Sequence, residues 1–164
     1  MNNFQVNQKE VCFHSFFFVV ENKFSFLKFK VSSITKYFKK ALNNYKNDIV
    51  ERNLLFIIFT DGSPNSDKLS STDAIIEFKE ALEDRNPIDK IFVTIVACTD
   101  DEFALNYLNN WDNTIPNLDV VDDYESERKE INSAGKVDTS FTYGDYIAKI
   151  LLGSFVKEID ELDE

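Results

Sequence analysis

Asp61 is the residue of this sequence best placed to do chemistry. It follows the apolar run at residues 54–59, with Thr60 before it and Gly62 and Ser63 after it. A carboxylate flanked by hydroxyls offers the hard oxygen ligands that Mg²⁺, Ca²⁺ or Mn²⁺ prefer in proteins. The same segment is equally typical of a turn in which the Asp side chain accepts hydrogen bonds from nearby backbone amides. These residues alone leave both interpretations open.

Other candidate residues have simpler structural interpretations. His14 lies in an apolar run with no Ser, Cys or Asp at a recognisable catalytic spacing, which favours a packed or surface imidazole. Acidic residues cluster at 100–102 and 119–123, where predicted strands end, and helix capping or a solvated acidic face explains them better than metal ligation. Trp111 falls on an apolar helical stripe, so we expect it in the core.

Common catalytic and cofactor motifs are absent from the sequence. There is no GxxxxGK[ST], GxGxxG or GxSxG pattern, so neither a phosphate-binding loop nor a nucleophile elbow is indicated. Cys12 and Cys98 stand in separate apolar runs without a CxxC pair or a Cys/His cluster, so a structural zinc site is not expected. We expect both thiols to be reduced and to pack as small hydrophobic groups.

Hydrophobic periodicity predicts the elements that position these residues. Strands are predicted at residues 11–20, 24–31, 54–59, 91–98 and 118–121. Helices are predicted at 34–46 after a Ser32-Ser33 N-cap and from an N-cap at Thr72 to the Asn86-Pro87 break. Two more are predicted after residue 102 and at 146–155, with a charged turn or helix at 123–132. Several of the strands are apolar on both faces, as in parallel sheets covered by helices.

This alternation of strands and helices predicts an α/β fold. The expected architecture is a three-layer α/β/α sandwich with a mainly parallel, Rossmann-like central sheet. Residues 54–59 and 91–98 are expected to be neighbouring strands in its middle. Ligands of such sheets bind at the carboxyl ends of the strands, where Asp61 is predicted to lie.

Composition limits the classes of partner. The 164 residues fit one domain, and 18 Lys and Arg against 29 Asp and Glu give a net charge of −11. Such an acidic chain repels phosphate backbones and anionic membranes, so nucleic-acid or membrane partners are not expected. The apolar run at residues 16–20 is far shorter than a membrane span and lacks the flanks of a signal peptide. We therefore expect a cytoplasmic protein.

From about Ser32 onward the sequence resembles a von Willebrand factor A (VWA) domain of intracellular eukaryotic type. The resemblance rests on Phe-Ile-Ile-Phe-Thr-Asp-Gly at 56–62, the strand at 92–101, the acidic run at 118–127 and Phe-Thr-Tyr-Gly at 141–144. It implies a divergent N-terminal segment at 1–31, with probable strands, and a VWA-like α/β domain at 32–164, together one domain.

Members of that family bind a divalent cation at a metal-ion-dependent adhesion site. The site combines a DxSxS loop, a Thr in a second loop and an Asp in a third. The resemblance places Asp61 in the third loop and Ser32, replacing Thr, in the second. The sequence has no DxSxS and no Asp before Ser32, so the first loop has no counterpart. The implied metal site of Asp61 and Ser32 is incomplete, and weak Mg²⁺ binding is the most we expect of it.

The resemblance implies a noncatalytic protein-interaction module that binds a protein partner at the loop edge holding Ser32 and Asp61. The alternative is a ribonuclease H-like metal-dependent nuclease, because a strand followed by Thr60-Asp61-Gly62-Ser63 also resembles that family's first metal-binding strand. That fold continues with a hairpin meander after this strand, whereas here a helix is predicted.

Overall fold

A computed structural model describes residues 13–20, 31–60, 70–98, 106–108, 110–135 and 140–162, with the backbone alone described at 13–20, 31–33 and 71. The strands are β1 (Phe13–Val20), β2 (Asn53–Thr60), β3 (Ile91–Ala97) and β4 (Leu118–Val121). The helices are α1 (Val31–Tyr45), α2 (Ser71–Glu83), α3 (Trp111–Thr114), α4 (Tyr124–Ala134), α5 (Tyr143–Leu152) and α6 (Lys157–Asp160).

The described strands form one parallel sheet in the order β1-β2-β3-β4. Leu54 pairs with Ile91, and Val93 pairs with Leu118. The predicted α/β class is confirmed, as is the placement of β2 beside β3 in the middle of the described sheet. Both strands are apolar on each face because helices cover each face.

The first three helices lie on one face of the sheet. The strand order follows the chain without reversal, and right-handed crossovers that all step in one direction place their helices on the same side. The core of this layer joins Phe38 of α1, Phe78 of α2 and Trp111 of α3 to alternate residues of the strands. Trp111 is buried against Phe78, as its apolar stripe predicts.

Helices α4 and α5 cover the opposite face. Their buried residues Ile131, Tyr146 and Ile150 pack against the other set of alternate strand residues, including Leu55 and Val121. Two separate hydrophobic cores, one on each side of a single sheet, make the three-layer α/β/α sandwich that the sequence predicts.

The start of the chain differs from prediction. Helix α1 begins at Val31, so Ser32 lies within its first turn and not at an N-cap, and the predicted strand at 24–31 is wrong at its last residue. Residues 24–30 lie outside the described part of the chain. The amides of the first helical turn have no intrahelical partner, and a hydroxyl residue near the helix start can satisfy them. Such a residue indicates that a helix begins nearby but does not determine its first residue. Strand β1 pairs with β2 in parallel, from Phe13 to Val20.

Capping residues set the starts of the later helices. Ser70, and not Thr72, caps α2, because its extended backbone lets Oγ accept the Asp73 amide at 3.1 Å. Asp123 caps α4 by accepting from Glu125 at 3.0 Å, which confirms a capping role for this acidic run. The charged segment predicted at 123–132 as a turn or helix is therefore a helix. Gly135 ends it with a left-handed φ of 65°.

Arg85 connects three elements at the amino ends of the strands. This buried residue follows α2, and its Nε donates to the Ile91 carbonyl at 3.2 Å. Its Nη1 donates to the carbonyl of Leu82 and its Nη2 to that of Pro116. Burial lowers the pKa of Arg85 to about 10, which still leaves the guanidinium charged at neutral pH.

Cys98 directly follows the last residue of β3. The Cys98 thiol is exposed, contrary to the predicted packing, because β3 ends one residue earlier at Ala97. No helix in the described ranges combines the length and the apolar character needed to cross a membrane.

Candidate functional site

The two residues of the predicted metal site are only partly described. Ser32 is the second residue of α1, and its backbone alone is described. Asp61 follows Thr60, the last residue of β2, and lies outside the described residues. The pairing of Ser32 and Asp61 therefore stays a prediction. Within the described ranges, no three His, Cys, Asp or Glu side chains are grouped as metal ligands.

The carboxyl ends of the strands form the edge at which a ligand is expected. Thr60 pairs with Ala97, and the Cys98 amide donates to the Thr60 carbonyl at 2.7 Å. Val96 pairs with Val121, so β4 ends at the same edge. Residues 100–102, the other acidic group predicted near this edge, lie outside the described part of the chain.

A buried ion pair joins the two helices of the second layer. Lys149 Nζ of α5 lies 3.0 Å from Glu127 Oε1 of α4, and each side chain is 1% exposed. Glu127 Oε2 accepts the Asp122 amide at 3.1 Å, and Lys149 Nζ donates to the Asp160 carbonyl at 3.3 Å. The pair therefore links α4, α5, α6 and the end of β4.

Asp119 belongs to the same polar part of the second core. It is a buried residue of β4, in register with Thr94 of β3. A Cβ atom on Gly153 would collide with its carboxylate, so a larger residue there would force the Asp119 side chain to move. Thr94 Oγ1 donates to Ser154 Oγ at 3.3 Å. The sequence predicts a solvated acidic face for Asp119, and this prediction is wrong because the residue is buried.

Tyr146 connects this polar group to the carboxyl edge. Its hydroxyl donates to the Asp122 carbonyl at 2.9 Å. Burial, followed by the nearby Cys98 and Glu127, raises the pKa of Tyr146 above its ordinary value of 10.0. The phenol is therefore a neutral hydrogen-bond donor at physiological pH, and it holds the start of α4 against α5.

An open cleft of about 550 Å³ lies between α4 and the segment that leads into α5. We call it the tyrosine cleft. Its lining residues are Tyr124, Arg128, Lys129, Asn132, Ser133, Ser140, Phe141, Thr142 and Tyr143. Tyr124 begins α4 three residues after β4 ends, so the cleft lies beside the carboxyl edge of the sheet.

Aromatic rings give the cleft a fixed wall. The Tyr124 ring contacts Tyr143 edge-on at 5.1 Å, Tyr146 at 5.5 Å and Phe141 in a stacked arrangement at 6.3 Å between centroids. Phe141 is buried, whereas Tyr143 is 61% exposed. Edge-on and offset ring contacts of this kind add to the stability supplied by burial. The outer ring is thus presented to solvent by rings that are held in place.

The segment before α5 is held in place by its cap. The Thr142 amide donates to Asp145 Oδ2 at 2.8 Å, and Thr142 Oγ1 accepts the Asp145 amide at 3.3 Å. This reciprocal pair is a capping box, which fixes the backbone at the start of a helix. The capping box therefore fixes the backbone position from which the Tyr143 side chain extends at the cleft wall.

Two cations lie along the α4 wall of the cleft. Arg128 Cζ lies 5.5 Å from the centre of the Tyr124 ring, and its Nη2 donates to Glu125 Oε2 at 2.7 Å. Lys129 is exposed. Burial raises the pKa of Asp123, but hydrogen bonds from Ser126 and Glu125, followed by the positive charge of Lys129, lower the pKa overall. The cleft combines aromatic faces, hydroxyls, an amide and positive charge, which can bind a ligand through ring contacts, hydrogen bonds and ion pairs.

Comparison of the chain with family models, with curated proteins and with solved structures finds no match in any of the three. The tyrosine cleft was not predicted from the sequence. Its residues come from one face of α4 and from residues 140–143, and the sequence pattern predicts no contact between these two segments. The signal that could have indicated it is the density of aromatic residues at 124–146, a span of 23 residues that holds three Tyr and one Phe.

Proposed function

We propose that this chain is a noncatalytic protein-interaction module of the VWA type. Its protein partner binds at the carboxyl edge of the sheet and occupies the tyrosine cleft. The observation that carries the proposal is the cleft itself, in which an exposed tyrosine stands on a wall of packed rings next to an arginine.

The composition of the cleft supports a protein partner. Tyr and Arg are enriched among the residues that dominate the energy of protein interfaces. Ser, Thr and Asn beside them supply adaptable hydrogen bonds, as in the binding loops of antibodies. The tyrosine cleft holds both kinds of residue.

The rigidity of the wall supports the same proposal. A partner that buries Tyr143 removes apolar surface from water, and that burial is favourable. Ordering a flexible side chain on binding opposes this gain. Tyr143 already contacts Tyr124 and Tyr146 in the unbound chain, so less of the gain is lost to ordering.

The VWA resemblance adds the predicted site of Ser32 and Asp61 to this surface. Thr60, which precedes Asp61, lies at the same carboxyl edge as the end of β4. As part of the proposal, this site is an incomplete adhesion site with at most weak affinity for Mg²⁺. A cytoplasmic location belongs to the proposal too, and the exposed thiol of Cys98 fits it because cytosolic thiols stay reduced.

The nuclease alternative has less support. In the described sheet β2 is followed by α2 and pairs in parallel with β3. A ribonuclease H-like fold would follow this strand with a hairpin meander, in which neighbouring strands are antiparallel. The net charge of −11 also opposes a nucleic-acid substrate.

Site-specific photo-crosslinking in cells tests the proposal. p-Benzoylphenylalanine in place of Tyr143 should yield a defined covalent adduct with another protein. The control position is Val50, which is 72% exposed and precedes β2 at the opposite end of the sheet. An adduct at residue 143 that is missing at residue 50 supports the proposal. Identical adduct patterns at both positions, or none at 143, would contradict it.

A further inference from the structure

We infer that the tyrosine cleft selects an acidic, apolar peptide segment, one that carries Asp or Glu together with Leu or Phe. This inference rests on the proposed function and adds the chemistry of the partner. The structure carries it through three features of the cleft, which are its charge, the capacity of its arginine and an apolar extension along α5.

The charge of the cleft is opposite to that of the chain. The whole sequence carries −11, yet the charged members of the described lining are Arg128 and Lys129. Complementary charge across an interface selects partners and speeds their encounter. A carboxylate-bearing segment therefore meets two positive side chains in this cleft, although the chain as a whole is acidic.

Arg128 can donate hydrogen bonds to a second carboxylate. It donates to Glu125 through Nη2, but a guanidinium has five N–H donors in a fixed fork. Its Cζ lies 5.5 Å from the Tyr124 ring centre, so the guanidinium stands at the wall of the cleft. The pair with Glu125 is solvent-exposed, with side chains 42% and 58% exposed, so sharing the guanidinium with a partner costs little.

Tyr143 and Ile147 form a short exposed apolar strip that runs from the cleft along α5. Ile147 is 41% exposed and lies one turn after Tyr143, on the same face of the helix. Large apolar side chains next to a cationic cleft suit a segment that carries both carboxylates and apolar groups. A polyanion such as nucleic acid lacks such apolar side chains, so the strip argues for a peptide.

Selection from a random peptide display library on the immobilised full chain tests this inference. Clones that bind the wild type and are lost on Tyr143→Ala define the cleft-dependent set. That set should be enriched in Asp and Glu together with Leu or Phe. A cleft-dependent set without acidic enrichment, or one rich in Lys and Arg, would overturn the inference and leave the proposed function standing. Absence of any cleft-dependent clone overturns both.

Charge reversal then measures the contribution of the cations. Fluorescence anisotropy with a labelled peptide from the set should show affinity falling at least about tenfold in the Arg128→Glu/Lys129→Glu variant. The matched control is Lys39→Glu/Lys79→Glu on α1 and α2, which also reverses two charges, because both lysines are exposed and each pairs with a glutamate. Affinity should be unchanged in that control. Equal losses in both variants would overturn the inference, because bulk charge would then explain the binding.

Discussion

Lys149 and Glu127 form a salt bridge of 3.0 Å between two helices, and the side chain of each is 1% exposed. A buried pair of this kind contributes little net stability, because removing two charges from water offsets their attraction. Loss of one partner is costly, because it leaves the other charge buried alone. The pair therefore fixes how α4 packs against α5, and with it one wall of the tyrosine cleft.

The Lys149→Met variant should lose about 3–5 kcal/mol of unfolding free energy at pH 7. The apolar replacement leaves the Glu127 carboxylate buried without its cation. Denaturant unfolding of purified protein measures the change.

The Lys149→Met/Glu127→Gln double variant is the control for that interpretation. Its neutral amide removes the buried charge and can still accept the Asp122 amide. The double variant should be more stable than Lys149→Met alone. A double variant that is less stable than the single one would show that the charge of Glu127 is not the cause of the loss.

The Arg85→Leu variant should lose about 2–4 kcal/mol, because the carbonyls of Leu82, Ile91 and Pro116 lose a buried donor. Arg52→Leu, at an exposed position before β2, is the matched control and should change stability by less than about 0.5 kcal/mol. Thermal and denaturant unfolding report both. Equal effects of the two substitutions would show that the three hydrogen bonds of Arg85 do not stabilise the fold.

The Tyr146→Phe variant should lose about 1 kcal/mol at pH 7, because its hydrogen bond to the Asp122 carbonyl is removed. The folded state raises the pKa of Tyr146, so it holds the phenolic proton to higher pH than the unfolded state does. Wild-type stability should therefore decrease as the pH rises above about 10, and the variant should decrease less. Parallel pH profiles for the two proteins would contradict this role of the phenol.

The Asp145→Ala variant should lose about 1 kcal/mol at pH 7 through its capping box with Thr142. Hydrogen bonds from the hydroxyl and amide of Thr142 lower the pKa of Asp145 below 3.8. The folded state then binds fewer protons than the unfolded state, so this contribution is lost as the pH falls below about 4. Unfolding curves at pH 7 and pH 3 measure the difference between wild type and variant. A difference that stays constant would count against the carboxylate as its source.

The central sheet was predictable because its signal is local. Residues 54–59, 91–98 and 118–121 are apolar at nearly every position, and no polar face competes with burial in a parallel strand. Helix α5 was found by the same reasoning but starts at Tyr143 and not at 146, because the Thr142 cap sets its first turn. Strand boundaries near Cys98 were wrong by one residue, which changed a packed thiol to an exposed one.

The buried charges and the cleft were not predictable because their partners are distant in sequence. Glu127 and Lys149 lie on different helices, so their separation in the sequence does not indicate that they form a pair. Tyr124 and Tyr143 meet only because α4 and α5 cover the same face of the sheet. A sequence shows charges within apolar helical stripes, but which of them meet depends on how the helices pack.

The most direct test of the central claim is the affinity of the protein captured by crosslinking at residue 143. Isothermal titration calorimetry should be run with that partner on the wild type, Tyr143→Ala and Val50→Ala. Tyr143→Ala should weaken binding by about 2 kcal/mol or more, as expected for an anchor residue, and Val50→Ala should leave it unchanged. Equal affinities for wild type and Tyr143→Ala would contradict the claim that the tyrosine cleft is the partner's binding site.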